Sequence, residues 1–398
     1  MTKHDYHAAE WVFPGHPDKL CDAIADALVE EAGGLQQRAL CALEVAVTGG
    51  VAYVTGRLGC DGAEEIDVEA LAQAAYRSAG YGGDWTPEPQ QLGVVANLCR
   101  GPLEEDEERF RDLSDDQTIS VGYACESPST NWLPVEHCLA WRLGRRLHRL
   151  RDEQPELQLG PDGKVIVQVD FGERQVRLAG FSTSLQQKLD GDSIDLTIAV
   201  REAVEQELEL ASSVIAGLVP ELPSDWEVNG CGNFAVGGPE ADNGLSGKKL
   251  VVDAYGPRVP IGGGAWSGKD FYKPDRAGAI FSRRFAKAVV LAGAASECTV
   301  TLGFFPGDER ARVFSIRDQD GQLLDAERWG GLFDLSLGGC GDRYTGKCDL
   351  VEVARMGHFT EETRPWERLG FDGEEKGERD EERGEVAETY VAGLTNPA

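Results

Sequence analysis

The stretch Gly262–Asp270, GGGAWSGKD, lies one letter from a nucleotide-binding P-loop. Gly263, four intervening residues and then Gly268-Lys269 keep the Walker A spacing. That motif continues with Ser or Thr, whose hydroxyl holds magnesium; here the residue is Asp270. The stretch is therefore either a triphosphate loop of another design or an ordinary glycine turn. The surrounding chain decides between them.

The chain has 398 residues, of which 41% are hydrophobic, enough for two or three domains or one large composite one. No apolar run approaches the ~18 residues of a membrane span. The start, MTKHDYHAAEWVF, has no stretch apolar enough for a signal peptide. A cytoplasmic protein is expected. The ten cysteines show no C-x-x-C pair and read as reduced core thiols. The six histidines do not cluster with them, which argues against zinc.

The net charge is −30, from 69 acidic and 39 basic residues, so a nucleic-acid surface is disfavoured. Lysine is scarce, 11 residues against 28 arginines. Yet Lys19, Lys164, Lys248, Lys249, Lys269 and Lys273 fall in four short motifs. That concentration points to a polyanion pocket inside an acidic protein.

Periodicity predicts helices over 18–33, 64–80, 136–153, 193–211 and 275–295. Strands are expected at 39–47, 51–58, 164–171, 174–180, 298–305 and 311–317, with another near 227–236. The rhythm of strand pair then helix recurs about three times, which suggests three α+β units. The units are placed at 1–102, 110–225 and 226–370, followed by a charged tail at 371–398. The acidic stretch 103–117 reads as a mobile loop, and the arginines of 136–153 as solvated or interface charges.

Gly15–Asp22, GHPDKLCD, sets His16 and Asp18 at a helix start, where phosphate is favoured. Asp18, Asp22 and Asp26 share one helix face; magnesium wants such oxygen ligands. For Asp22 and Asp26 a solvated face is expected instead. GPDGKVIVQVD supplies Asp162 and Lys164, GGPEADNGLSGKK supplies Asp242, Lys248 and Lys249, and GGGAWSGKDFYKPDR supplies Lys269, Lys273, Asp275 and Arg276. Together they offer lysines for phosphates and carboxylates for cations.

These stretches, with VGYA at 121–124 and GHF…PWE at 357–367, resemble the signatures of the S-adenosylmethionine synthetase (methionine adenosyltransferase) family over about residues 3–370. The resemblance implies α+β units around a pseudo-threefold axis, a homodimer or dimer of dimers, and active sites between subunits. It implies attack of methionine sulfur on C5′ of ATP, expulsion of the triphosphate and its hydrolysis, assisted by Mg2+ and K+. It also makes the opening loop a triphosphate loop of that family's design. By motif, His16 resembles the histidine at the ribose–phosphate junction; with Lys164 and Lys269 it forms the expected catalytic set. Asp18 and Asp275 resemble magnesium ligands, Glu44 the potassium ligand, and Glu10 a glutamate near the cations. Asp162, Lys164, Asn233, Phe234, Asp242, Lys248, Lys249, Ala265 and Lys269 fall at ATP-contacting positions. Asp242 and Lys273 border the amino-acid substrate.

Departures from the family pattern gather at the acceptor end. Arg57 stands where the family has a glutamate for the methionine ammonium, and the 103–117 stretch is rebuilt, with Asp116 matching a motif aspartate. Asn233 replaces an arginine, Lys248 stands where arginine is usual, and Ile261 replaces a histidine. The sequence reading is adenosyl transfer from ATP to methionine. The alternatives are another thioether or methionine analogue as acceptor, or a weakly catalytic nucleotide-binding regulatory homologue.

Overall fold

The architecture is that of a computed structural model, which describes residues 4–369 except 174 and 330. The tail from 371 lies outside the described residues. Strand β1 (Tyr6–Val12) leads into α1 (Pro17–Leu35) and the hairpin β2 (Leu40–Thr48)–β3 (Val51–Gly59), followed by α2 (Val68–Ala79) and β4 (Gly93–Gly101). A short helix, α3 (Glu105–Arg109), precedes the second run. That run is β5 (Thr118–Cys125), α4 (Val135–Glu153), β6 (Leu159–Phe171) and β7 (Val176–Gln187), then α5 (Ser193–Ser212), β8 (Leu218–Val219) and β9 (Asp225–Val228). The third is β10 (Gly244–Leu245), α6 (Leu250–Asp253), α7 (Pro274–Leu291), β11 (Glu297–Phe304) and β12 (Arg312–Asp318).

Each run is thus strand, long helix, hairpin. The leading strand leaves its own hairpin and pairs antiparallel with the next run's. β1 joins β6, β5 joins β11, and β10 joins β2. The sheet orders are β1-β6-β7-β8, β10-β2-β3-β4 and β12-β11-β5, with β9 also on β7. First lends to second, second to third, and third to first: this cycle is the pseudo-threefold arrangement. No sheet comes from one continuous stretch of chain. One long helix packs on each sheet, α1 on β2 and β10, α4 on β1 and β6, α7 on β5 and β11.

The helices start where their capping chemistry says they should. The His16 side chain accepts from the backbone N–H of Asp18, and Pro17 occupies the first helical turn of α1. Leu20, Ile24 and Leu28 are fully buried on its apolar stripe. The helix expected from 64 begins only at Val68, because the Asp67 side chain caps it; Ala63–Glu65 form a separate 3-10 turn. The strand expected near 227–236 ends at Val228. Asn229 and Gly232 turn left-handed (φ 49° and 94°) and send the chain into a loop. On α4, Arg142 pairs with buried Glu207, and Arg151 donates to the carbonyls of Ala79, the last residue of α2, and of Gly80 after it.

The 103–117 stretch is tied down rather than mobile. Its Glu107 pairs with Arg57, its fully buried Arg111 with Asp270, and its Asp115 with Lys273. All ten cysteines are free thiols, and seven are buried. No helix among the described residues is long and apolar enough to cross a membrane.

Candidate active site

Helix α1 organises the glycine-rich loops. Asp18, Asp22 and Asp26, one turn apart on one face, are all essentially inaccessible. Each accepts a loop backbone N–H: Leu245 at 3.0 Å, Gly247 at 2.8 Å and Gly268 at 3.0 Å. The solvated face expected for Asp22 and Asp26 is therefore corrected. Two glycine-rich loops have backbone donors that need acceptors, and α1 supplies a ladder of them.

The opening question also has its structural answer. Lys269 bridges to Ala42 and the Gly268 carbonyl accepts from Leu43 N, so the loop runs beside β2. Asp270, where a P-loop has Ser or Thr, is buried and bonded to Cys41 N and Arg111. Gly268 has φ 85°, and a Cβ there would lie 2.4 Å from the Leu43 carbonyl oxygen. A Cβ on Gly264 would lie 2.1 Å from the Asp275 carboxylate. The loop is built to pass close to β2 and to that carboxylate.

An open cleft of about 320 Å³ gathers six expected residues: His16, Asp162, Lys164, Asn233, Phe234 and Asp242. Gly163, Cys231 and Gly232 complete much of its wall. Burial, with help from Lys249, lowers the His16 pKa to about 4, so the ring is neutral at pH 7. Its Nδ1 accepts from Asp18 N at 3.2 Å, which leaves Nε2 as the N–H donor. Burial raises Asp162 to about 6, although it accepts from Gly238 N at 2.7 Å.

A second group lines the loops. Lys249 donates to Asp18 at 2.6 Å, with Lys248 3.7 Å from the other Asp18 oxygen. Burial disfavours the Asp18 charge, yet the Lys249 and Leu245 hydrogen bonds hold its pKa below the usual value. Lys269 donates to Glu44 at 2.7 Å, and Ser246 Oγ donates to the other Glu44 oxygen. Ala265 packs against Gly247, where the two loops touch. Asp275 is raised by burial and accepts from Thr118 at 2.5 Å.

Three expected residues stand apart. Arg57 donates to both oxygens of Glu107, at 2.8 and 2.7 Å, and to the carbonyls of Leu58, Cys99, Gly101 and Pro102. Glu10 sits on β1 opposite Ile166, and its side chain makes no hydrogen bond or ion pair among the described residues. Exposed Asp116 caps its neighbour Gln117. Sequence reasoning missed Asp115 on Lys273, the Asp22 and Asp26 ladder contacts, and Tyr81, whose hydroxyl donates to Gly15 O at 2.6 Å and fixes the GHPDK turn. The four-residue spacing of the aspartates was the only visible signal for any of these.

Comparison with known proteins accords with this geometry. Residues 4–99, 112–234 and 236–368 match the N-terminal, central and C-terminal domains of S-adenosylmethionine synthetase. The chain belongs to the S-adenosylmethionine synthetase family. It is 32% identical over 392 residues to an S-adenosylmethionine synthase of Chlorobium phaeobacteroides, covering 91% of this chain and 95% of that protein. It is 33% identical over 392 residues to that of Desulforudis audaxviator, covering 93% and 97%. S-adenosylmethionine synthase 1 of Rhodopseudomonas palustris is 32% identical over 337 residues, covering 80% and 82%.

Proposed function

We propose that this protein transfers the adenosyl group of ATP to the sulfur of methionine, forming S-adenosylmethionine and releasing phosphate and pyrophosphate. The observation that carries the reading is the convergence of His16, Asp162, Lys164 and Asp242 on one cleft whose histidine also caps the helix bearing Asp18. A thioether is already nucleophilic and needs no general base. The site must align sulfur with C5′ and stabilise the charge that develops on the triphosphate.

The residues suit those tasks. Neutral His16 offers its Nε2–H to the oxygen that leaves C5′. Lys164, Lys248, Lys249 and Lys269 take the phosphates, with Lys164 and Lys269 nearest the chemistry; Asp162, Asn233, Phe234, Asp242 and Ala265 hold the rest of the nucleotide. Lys273 and Asp242 face the amino acid.

Mg2+ and K+ are the ions of this proposal. No group of three or more potential metal ligands gathers among the described residues. Magnesium takes one or two carboxylates and completes its shell with phosphate oxygens and water. Asp18 and Asp275 would hold it and Glu44 the potassium, with Glu10 farther out. Magnesium would neutralise charge on the leaving triphosphate. The pairs Lys249–Asp18 and Lys269–Glu44 are the charge complement of a metal–triphosphate, with lysines for the anion and acids for the cations.

The unit boundaries 1–102, 110–225 and 226–370, a homodimer or dimer of dimers with active sites at the subunit interface, and a cytoplasmic location complete the proposal. Because Arg57 spends its donors inside the chain, Arg57 gives no support to an anionic acceptor. The test is a mass-spectrometric assay of the purified protein with ATP, Mg2+, K+ and methionine, beside other thioethers. S-adenosylmethionine at a catalytic rate is expected. An adduct only with another acceptor would overturn the methionine assignment, and ATP binding without any adduct would favour a regulatory homologue.

A further inference from the structure

In the proposed reaction His16 offers its Nε2–H to the oxygen that leaves C5′. A misplacement of about 1 Å in such a group costs about 10²-fold in rate. His16 enters the cleft from the turn that begins at Gly15. What sets that turn lies behind the cleft, at the end of α2.

Tyr81 follows the left-handed Gly80 (φ 103°) that ends α2, and it is 4% exposed. Its backbone N–H donates to Tyr76 O at 3.0 Å, and its ring lies 5.3 Å from the Tyr76 ring. Arg151 of α4 holds the preceding carbonyls of Ala79 and Gly80. The ring is therefore fixed from behind. Its hydroxyl donates to Gly15 O at 2.6 Å. Burial, with Asp162 nearby, pushes the phenol well above its ordinary pKa, so it stays a donor. Gly15 also packs on Pro161, because a Cβ there would collide with the Pro161 carbonyl. The turn is thus clamped between Tyr81 and the residue before Asp162.

The same hydroxyl reaches the loop that carries Asp242. A Cβ on Gly238 (φ 63°) would collide with the Tyr81 oxygen. Gly238 N donates to Asp162 at 2.7 Å, and Gly238 O accepts from Asp242 N at 3.1 Å. His16, Asp162 and Asp242 all line the cleft, and one phenol touches the backbone that places each of them.

We infer that Tyr81 is a positioning residue for the proposed adenosyl transfer, whose hydroxyl sets the Gly15 turn and so the place of His16 beside Asp162 and Asp242. Tyr81 does not itself line the cleft; it acts through His16. The inference rests on the proposed reaction.

Tyr81→Phe keeps the ring and removes the donor. Tyr76→Phe is the control, since that ring is also buried and its hydroxyl has no partner among the described residues. Adenosyl transfer is followed in single turnover at saturating ATP and methionine. Binding of a non-hydrolysable ATP analogue with Mg2+ is read by calorimetry, and hydrogen exchange is read over residues 13–20. Tyr81→Phe is expected to slow transfer about tenfold and to leave the analogue's Kd within about twofold, with unchanged stoichiometry. It should also speed exchange over 13–20, and Tyr76→Phe should do none of these. The rate loss should vanish in a His16→Asn background, where asparagine keeps the cap of α1 but the group that Tyr81 positions is gone. A tenfold loss that persists there, or a wild-type rate in Tyr81→Phe, would overturn the inference while adenosyl transfer stands. Wild-type protein that makes no S-adenosylmethionine, with faster exchange in Tyr81→Phe alone, would sink only the reaction. No product together with unchanged exchange would overturn both.

Discussion

The Asp26 carboxylate accepts two hydrogen bonds from Arg276 Nη2, both at 2.7 Å, and neither side chain reaches solvent. Asp26 lies on α1 and Arg276 on α7. The pair therefore joins the long helices of the first and third units beneath the loop that ends in Lys269.

Breaking one half of such a pair leaves a buried charge without a partner, at a cost of about 3–5 kcal/mol. Asp26→Asn also weakens the anchor of Gly268 N. Its denaturant midpoint is expected to fall by that equivalent, with the slope unchanged. A loss under about 1 kcal/mol would show that water reaches Arg276.

Lys269 sits behind the exposed Glu44 with a well-packed backbone, so Lys269→Met should fold normally. Its kcat is expected to drop about 10²-fold or more, the scale for one preorganised donor to developing charge. Lys164→Met, in the other wall, should behave similarly. Normal turnover in either variant would remove that lysine from the triphosphate site.

Arg57 and Glu107 are partly exposed, so the pair contributes modestly to global stability, about 0.5–1 kcal/mol. Its larger effect is local. Arg57→Glu sets like charges together and should make 103–117 a site of rapid limited proteolysis. Arg57→Glu combined with Glu107→Arg should restore protection. Cleavage at the wild-type rate in the single variant would show that Arg111 and Asp115 hold the segment alone.

Three histidines give the fold an acid-sensitive edge. Burial lowers His137 and His148 to about 4, and lowers His358 well below its ordinary value. Neither ring nitrogen of His137 or His358 has a hydrogen-bond partner among the described residues. An unfolded histidine titrates near 6.5. Between about pH 6.5 and 4 these histidines hold more protons in the unfolded chain than in the folded one, so their contribution to stability falls as pH falls. Asp22 and Asp162, raised by burial to about 7 and about 6, act the opposite way by taking up protons in the folded state. His137→Leu should isolate the effect, flattening the pH dependence by roughly 1.4 kcal/mol per pH unit below 6.5. An unchanged slope in chemical denaturation would show that His137 is solvated.

Much of the site was legible locally. His16 and Asp18 were readable because a helix start advertises itself through Pro17 and an apolar stripe. Lys248, Lys249, Lys269 and Lys273 stood out because lysine is scarce elsewhere in the chain. Asp22 and Asp26 could be placed on one face but not recognised as buried, because their partners are backbone N–H groups more than 200 residues away. The partner of Arg57 was not legible for the same reason, since Glu107 is 50 residues distant. The 103–117 stretch looked mobile by composition, yet Arg111 and Asp270, 159 residues apart, fix it.

The sequence by itself determined much of the local structure: where α1 begins, which hairpins form, and which motifs carry lysines and carboxylates. Those follow from capping, periodicity and turn chemistry, which act over a few residues. Only the tertiary structure decided that each unit gives its first strand to the next sheet, that three aspartates of α1 hold the glycine loops, and that Asp115 faces Lys273. Strand exchange is settled by which distant edge offers unpaired backbone groups, and charge pairing by burial. Neither is encoded in the spacing of neighbouring residues.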